Sequence, residues 1–301
     1  MTHYRLYGLT AASALELPEL LPAPHPTEPD LEIRLGAVSS EGLPDGAVVG
    51  PFCQIAPRRF WLNVPEVARY QVEDGRTIII DPLAGVDEAS VRVFLLGSCL
   101  GALLFQRGLL VLHGNAIRVG DACLVCVGYS GTGKSTLAAS FMQRGQTILA
   151  DDVVAVDAAG RAIPGFPRIK LWQAAAQQLA IDTRGLHRIR PNLEKFNLPL
   201  GDRFCAEPLP VRWVYVLHHR HQPGCEFEPI RGMARFQSLR SHTYRVRYMD
   251  TMALEPEHLK LCGRLAGRIY LAHVHRADEG LSPTDLAAMI LDDAIAHPPR
   301  P

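Results

Sequence analysis

Apolar and polar positions alternate in short bursts over the first part of the chain and lengthen into solid apolar runs further on. The segments "DLEIRLGAV", "RFWLNVP" and "ARYQVEDGRTIIIDP" place β-branched and aromatic residues between Gly, Pro and Asp, which predicts short strands. The last of them predicts a hairpin, with strands at 69–73 and 76–80 around a turn at Glu73-Asp74-Gly75. Pro-rich "LPAPHPTEPD" (21–30) predicts a surface connection. The pattern divides the chain into a small β-rich N-terminal domain over 1–88 and a second domain over 89–301. At the junction, "DEASVRVFLLGSCLGALLFQRG" has helical periodicity, with Gly108 near its C-cap. Val93 to Leu112 comes nearest to a run of about twenty apolar residues. Gln106, Arg107 and Gly108 interrupt it, so the expectation is a buried helix followed by a strand, and no membrane span.

Beyond this helix the pattern becomes β–β–α–β. "LLVLHGNAIRVG" and "DACLVCVG" predict strands, "STLAASFMQRG" a helix ended by Gly145, and "QTILADDVVAVD" a third strand. "AIPGFPRIKLW" and a helical "QAAAQQLA" follow. The polar, basic "DTRGLHRIRPNLEKFNLPL" is expected to be mobile or only partly ordered. "VRWVYVLHHRHQPGCEFEPI" predicts two strands around a turn. The C-terminal third is predicted helical; in "LSPTDLAAMILDDAIAHPP", Ser282 sits at N-cap, Pro283 at N1 and Asp285 at N3.

Composition narrows the classes. Of 301 residues, 48% are hydrophobic, enough for a sizeable core. Lys and Arg number 31 and balance 31 Asp and Glu, which argues against a nucleic-acid partner. The seven cysteines are odd in number and scattered, which suits a reducing cytoplasm better than a disulfide framework. Cys123 and Cys126 form a CxxC, but inside an apolar strand, where positions three apart face opposite sides. They read as buried small residues rather than a redox or metal pair. "MTHYRLYGLTAASALELPEL" lacks a basic region followed by a clean apolar run, so no signal peptide is expected.

The chemistry is concentrated in "GYSGTGKS", Gly128 to Ser135, which fits G-x-x-x-x-G-K-[ST] in full. Gly128, Gly131 and Gly133 let backbone N–H groups around Ser130 and Thr132 turn inward on phosphate oxygens. The helix opening at the loop adds its dipole. Lys134 neutralises β/γ-phosphate charge, and the Ser135 hydroxyl is placed to ligand Mg²⁺. Asp151-Asp152 end the apolar "TILA", where a strand would deliver carboxylates beside the loop. At a strand end both side chains can reach the nucleotide, one for the metal and one for an acceptor hydroxyl.

His113-Gly114 on the strand before the loop, then "SGTGKS", then "LADD" after one helix resemble bacterial HPr kinase/phosphorylase. The resemblance covers about residues 105–155. It implies an α/β fold with a P-loop kinase core of the HPr kinase/PEP carboxykinase type. It also implies ATP on Gly128 to Thr136, Asp151 as base toward an acceptor serine, Asp152 as a metal or active-site carboxylate, and His113 as an active-site imidazole. The family has a glutamate after "GKS", and here that position is Thr136. The family's second glycine-rich signature is absent, which detaches dephosphorylation and HPr itself from the reading. "RYQVEDGRTIIIDP", "LLGSCLGALLFQRGLLVLHGNAI" and "PGFPRIKLW" are closer to the lasso-peptide kinases, which phosphorylate the C-terminal serine of a precursor peptide.

Further cations are expected around the transferred phosphoryl group. Arg168 and Lys170 lie just after the third strand, and Lys195, in the apolar "KFNLPL", is the candidate for a lid contact. "HHRH" (His218, His219, Arg220, His221) lacks a carboxylate or cysteine at ligand spacing and is expected to be an exposed turn rather than a metal site. The expectation is therefore an ATP- and Mg²⁺-dependent serine kinase. Its partner would be a peptide or small protein, with no nucleic acid or membrane, and by the family's assembly a homo-oligomer. A non-catalytic nucleotide-binding regulator, an HPr-type kinase and a PEP-carboxykinase-like or hydrolytic enzyme are the alternatives.

Overall fold

The structure is a computed structural model and describes residues 1–25, 28–220, 224–277 and 280–298. The chain begins with β1 (Thr2–Leu6), β2 (Leu9–Ser13), β3 (Leu21–Pro22), β4 (Leu31–Leu35) and β5 (Ala47–Gly50). It continues with β6 (Cys53–Ala56), β7 (Arg59–Val64), β8 (Ala68–Glu73) and β9 (Thr77–Pro82). All nine join one sheet in the order β3-β1-β2-β4-β9-β8-β7-β6-β5. Alternation sets its faces: in β8, Ala68, Tyr70 and Val72 are buried while their neighbours are not. The expected β8–β9 hairpin is present, with Glu73 paired to Thr77. Asp74 and Gly75 both take positive φ (54° and 64°), as the tight mirror-image turn of a hairpin requires. Pro26 and Thr27 of the Pro-rich connection lie outside the described residues.

A continuous helix follows: α1 (Glu88–Phe94), a π-helical turn (Leu95–Cys99) and α2 (Leu100–Gln106). Asp87 caps it by accepting from Ser90 N at 2.8 Å. Gly108 leaves it at φ 73°. By length and composition this helix could cross a membrane, but most of it is buried in the protein. Its apolar side chains share one core with Tyr70, Ile78 and Ile80 of the first sheet and with Val111, Val153 and Tyr244 of the second half. The expected boundary at 88/89 falls just inside α1, after its first residue, and the core runs across it.

The second half contains β10 (Leu110–Val119), β11 (Ala122–Gly128), α3 (Lys134–Gln143), β12 (Ile148–Val156), β13 (Arg161–Ile163), β14 (Arg168–Trp172), α4 (Gln173–Gln178) and β15 (Lys195–Pro199). After these come β16 (Leu209–Arg220), β17 (Cys225–Pro229), α5 (Met233–Ser241), α6 (Val246–Thr251), α7 (Glu255–Ala266), β18 (Tyr270–Ala277) and α8 (Pro283–Ala296). Seven strands form a mixed sheet ordered β11-β10-β12-β13-β16-β18-β17, and β11 also pairs with β16, which closes a circuit of strands. β11 is buried along its whole length. Cys126 packs into one core cluster and Cys123 into another, so they do face opposite sides, and burial raises both thiol pKa values. Ser282 caps α8 as expected, accepting from Asp285 N.

Three expectations fail for reasons of tertiary pairing. The strands around "HHRH" do not form a hairpin, because β18 lies between them, parallel to β16 and antiparallel to β17. β18 ("YLAHVHRA") interrupts the C-terminal third, which the sequence predicts helical; its polar histidines break up a strand that buries Leu271, Ala272, Val274 and Ala277. The polar 182–200 segment is held in place. β15 pairs with β14, and Ile189 N donates to Lys195 O at 2.9 Å and Asn197 N to His187 O at 2.9 Å.

Candidate active site

β11 ends in the loop and α3 begins at Lys134, so the first turn of the helix opens where the strand stops. Gly133 stands at the N-cap with φ 83°, a conformation that favours glycine. Thr132 Oγ1 donates to Tyr129 O at 2.9 Å and holds the loop closed. Lys134 is nearly buried, and its Nζ donates to Gly128 O and Tyr129 O, each at 2.8 Å. Burial pulls its pKa down, against the attraction of Asp152 and Asp151. Asn115, fully buried on β10, donates from Nδ2 to Lys134 O at 2.6 Å and ties the helix start to the sheet.

The two aspartates are not at a strand end. β12 runs on to Val156 through both of them, paired to β10 with Asn115 opposite Asp151 and Gly114 opposite Asp152. Asp152 has φ 77°, rare for a residue with a side chain and costing on the order of 1–3 kcal/mol. Gly114 cannot be replaced cheaply, because an added Cβ would sit 2.3 Å from Cys126 O.

The pair is split by environment. Asp151 accepts from Ser135 Oγ at 3.0 and 3.3 Å and from Lys170 N at 2.9 Å. Burial, then the neighbouring Asp152, raises its pKa. Asp152 accepts from Lys170 Nζ at 2.8 Å, and its Oδ1 lies 3.5 Å from His113 Nδ1. Burial works to raise its pKa, but the Lys170 ammonium and its hydrogen bond, then the His113 and Lys195 charges, outweigh it and hold Asp152 well below the ordinary carboxylate value. Lys170 thus serves both carboxylates, one through its backbone and one through its side chain. His113 Nδ1 is 3.0 Å from Asp152 O, and burial, then the Lys134 charge, lowers its pKa against the pull of Asp152.

Asp152, Lys170 and His113 open on a cavity of about 410 Å³ whose near wall is Gly128, Tyr129 and Ser130. Its far wall comes from the π turn (Gly97, Ser98) with Phe94, and from His242, Tyr244 and Arg245 after α5. Tyr244 packs against Gly101 so closely that a Cβ there would meet its ring at 2.6 Å. Asp151 does not line this cavity. It stands with Ser135 on the helix side, where a hydroxyl and a carboxylate form a hard-oxygen donor set. Among the described residues no group of three or more His, Cys, Asp or Glu can hold a metal by itself. The donor set therefore fits a cation that brings most of its ligands as phosphate oxygens and water, the habit of Mg²⁺.

Among solved structures the chain is similar to the Hpr(Ser) kinase/phosphatase from Coxiella burnetii, at 11% identity and a TM-score of 0.29 over 62% of this chain and 95% of that one. No family model and no curated protein matches the chain. Likeness at that TM-score assigns neither substrate nor site residues to this chain.

The structure brings together His113, Gly128, Ser130, Lys134, Ser135, Asp151 and Asp152 around the loop. Gly131 is exposed at its tip and Thr136 lies in the first turn of α3. Lys195, expected as a lid contact, lies on a paired strand. It belongs to β15, with its ammonium 5.2 Å from the Trp172 ring centre, near enough for its charge to act on Asp152 but outside the cavity wall. Arg168 faces a different cavity. His218 and His219 lie on β16 rather than in a turn; His218 Nε2 contacts His273 Nδ1 at 2.8 Å, and His221 lies outside the described residues. Sequence reasoning passed over Asn115, His242, Tyr244 and Arg245. Asn115 had a signal, sharing the strand face of His113 two residues on. The other three reach the site through the return of the chain after α5, which no local pattern marks.

Proposed function

We propose that this chain is a nucleotide-dependent phosphotransferase that phosphorylates a hydroxyl group entering the cavity opposite the glycine loop. One observation carries the reading: Asp152, held ionised by Lys170, faces the same cavity as Gly128 to Ser130. ATP is the donor in this reading, its triphosphate on the backbone of Gly128 to Thr136 and on Lys134. Mg²⁺ would be held by Ser135 and Asp151, and it supplies charge neutralisation of the phosphate oxygens. Asp152 takes the proton of the acceptor hydroxyl, and His113 fixes it by donating from Nδ1 to its carbonyl. Lys134 and Lys170 stabilise charge on the equatorial oxygens. The geometry thus favours the exchange of the roles expected from the motif order: Asp152 as base and Asp151 on the metal side.

The acceptor in this proposal is a serine of a peptide or small protein, with the C-terminal serine of a lasso-peptide precursor as the particular case. The order His113-Gly114, loop, Asp pair supports it. Asp152→Asn should retain Mg²⁺-nucleotide binding and lose transfer by on the order of 10²–10⁴. Asp151→Asn should weaken the Mg²⁺-dependent part of nucleotide binding instead. Nucleotide affinity with and without Mg²⁺, and phosphopeptide yield by mass shift, separate the two. Transfer at the wild-type rate by Asp152→Asn would reject the role given to Asp152.

A further inference from the structure

A second cavity, about 740 Å³, lies apart from the glycine loop and shares no lining residue with the site cavity. It is bounded by the 18–21 segment, the start of α1, the β14–β15 pair and the 185–188 loop. Arg168 forms part of its wall and is 5% exposed. Its Nη1 donates to Asn197 Oδ1, and its guanidinium lies 4.9 Å from the Phe166 ring centre. Its Nε and Nη2 are buried without a partner. These two N–H groups lie along one edge of the planar guanidinium, the edge that takes an oxyanion by two parallel hydrogen bonds.

Glu19 stands in the same wall and does not supply that oxyanion. Its Oε1 accepts from Arg92 Nε at 3.0 Å, and its Oε2 is buried without a partner. Two residues of one cavity wall therefore carry three buried hydrogen-bonding atoms without a partner, two donors and one acceptor. Burying such groups unpaired is costly, so the arrangement calls for an occupant carrying the complementary pattern. Among the formally charged side chains of the wall, Arg92, Arg168 and Arg188 against Glu19 and Asp202 leave a single excess positive charge, which matches a monoanion. A dianionic phosphate would bury surplus negative charge beside Glu19.

We infer that this cavity binds a ligand whose carboxylate lies on the Nε–Nη2 edge of Arg168 and whose neighbouring N–H or O–H donates to Glu19 Oε2. An N-acylated amino acid has that pattern, as does a 2-hydroxy acid. Pro18, Leu21, Ala89 and Pro167 supply apolar wall for the rest of the molecule.

The full chain is titrated with N-acetylleucine, and in parallel with inorganic phosphate, by saturation-transfer NMR and calorimetry. N-acetylleucine should bind the wild type. Arg168→Gln should weaken it by about tenfold or more, and Arg168→Lys nearly as much, because an ammonium offers no two-pronged edge. Ala206→Trp, at an exposed rim position, should block entry without touching Arg168. The inference is overturned if the wild type does not bind N-acetylleucine, if Arg168→Gln and Ala206→Trp bind it as the wild type does, or if phosphate binds more tightly than the carboxylate.

Discussion

The loop wall and the far wall face each other across one cavity but are assembled differently. The loop wall is contiguous: β11, the glycine turn and α3 run from Ala122 to Gln143. It offers backbone N–H groups and one lysine, so glycines and a helix start are enough to build it. The rest of the lining collects Phe94 from a helix, His113 and Asp152 from neighbouring strands, Lys170 from the β14–β15 pair and Tyr244 from the segment after α5. It acts through side-chain charge, and each member arrives by sheet register or packing. The difference teaches where perturbation goes: changes in the loop should remove the nucleotide, while changes opposite should retune the carboxylates.

Lys134→Ala is the largest expected effect and the plainest break of this comparison. It removes charge-assisted hydrogen bonds to phosphate worth up to about 3 kcal/mol, on the order of 10² in nucleotide affinity. Calorimetric titration should show the loss, and the thermal midpoint should fall modestly with the two hydrogen bonds from Lys134 Nζ to Gly128 O and Tyr129 O. Unchanged affinity would mean that the loop does not hold the phosphates.

Lys170→Met sharpens the contrast from the other side. With the ammonium gone, burial is left to push the Asp152 pKa up. Asp152 now has a depressed pKa, so its ionised form contributes stability above the ordinary value of 3.8, lost as pH falls through the folded value. The variant should therefore be less stable near neutrality, and the acid limb of its transfer rate should move to higher pH, with nucleotide affinity changed far less than in Lys134→Ala. An unmoved acid limb would separate Lys170 from the ionisation of Asp152.

The smallest effect concerns the strand beyond the loop. Burial, then the nearby His273 and His275, pulls the His218 pKa down from 6.5 to about 4. A depressed histidine favours the fold above 6.5, and that contribution is lost as pH falls toward 4. His218→Gln should flatten the fall of the melting temperature over that window. An equally steep fall would place the acid sensitivity elsewhere.

The β8–β9 hairpin, the Asp87-capped helix, the glycine loop and the Ser282 cap were legible because each depends on residues adjacent in the chain. Asp151 and Asp152 were legible as a pair, but their separate environments were not. Residue order cannot show that β12 continues past them, that Asp152 takes a left-handed backbone, or that one lysine serves both carboxylates. The same limit hid β18: its place between β16 and β17 is a matter of long-range pairing, and its histidines break up its apolar run.

The sequence by itself determined the strand, glycine turn and helix start of the loop, because backbone geometry at glycines and the start of a helix is a local property. Only the tertiary structure decided which aspartate meets the cavity, that Lys195 lies on a paired strand, and that Arg168 turns to a second cavity. Those outcomes rest on which strands pair and in what register, and register depends on burial over the whole sheet rather than on any short run of residues.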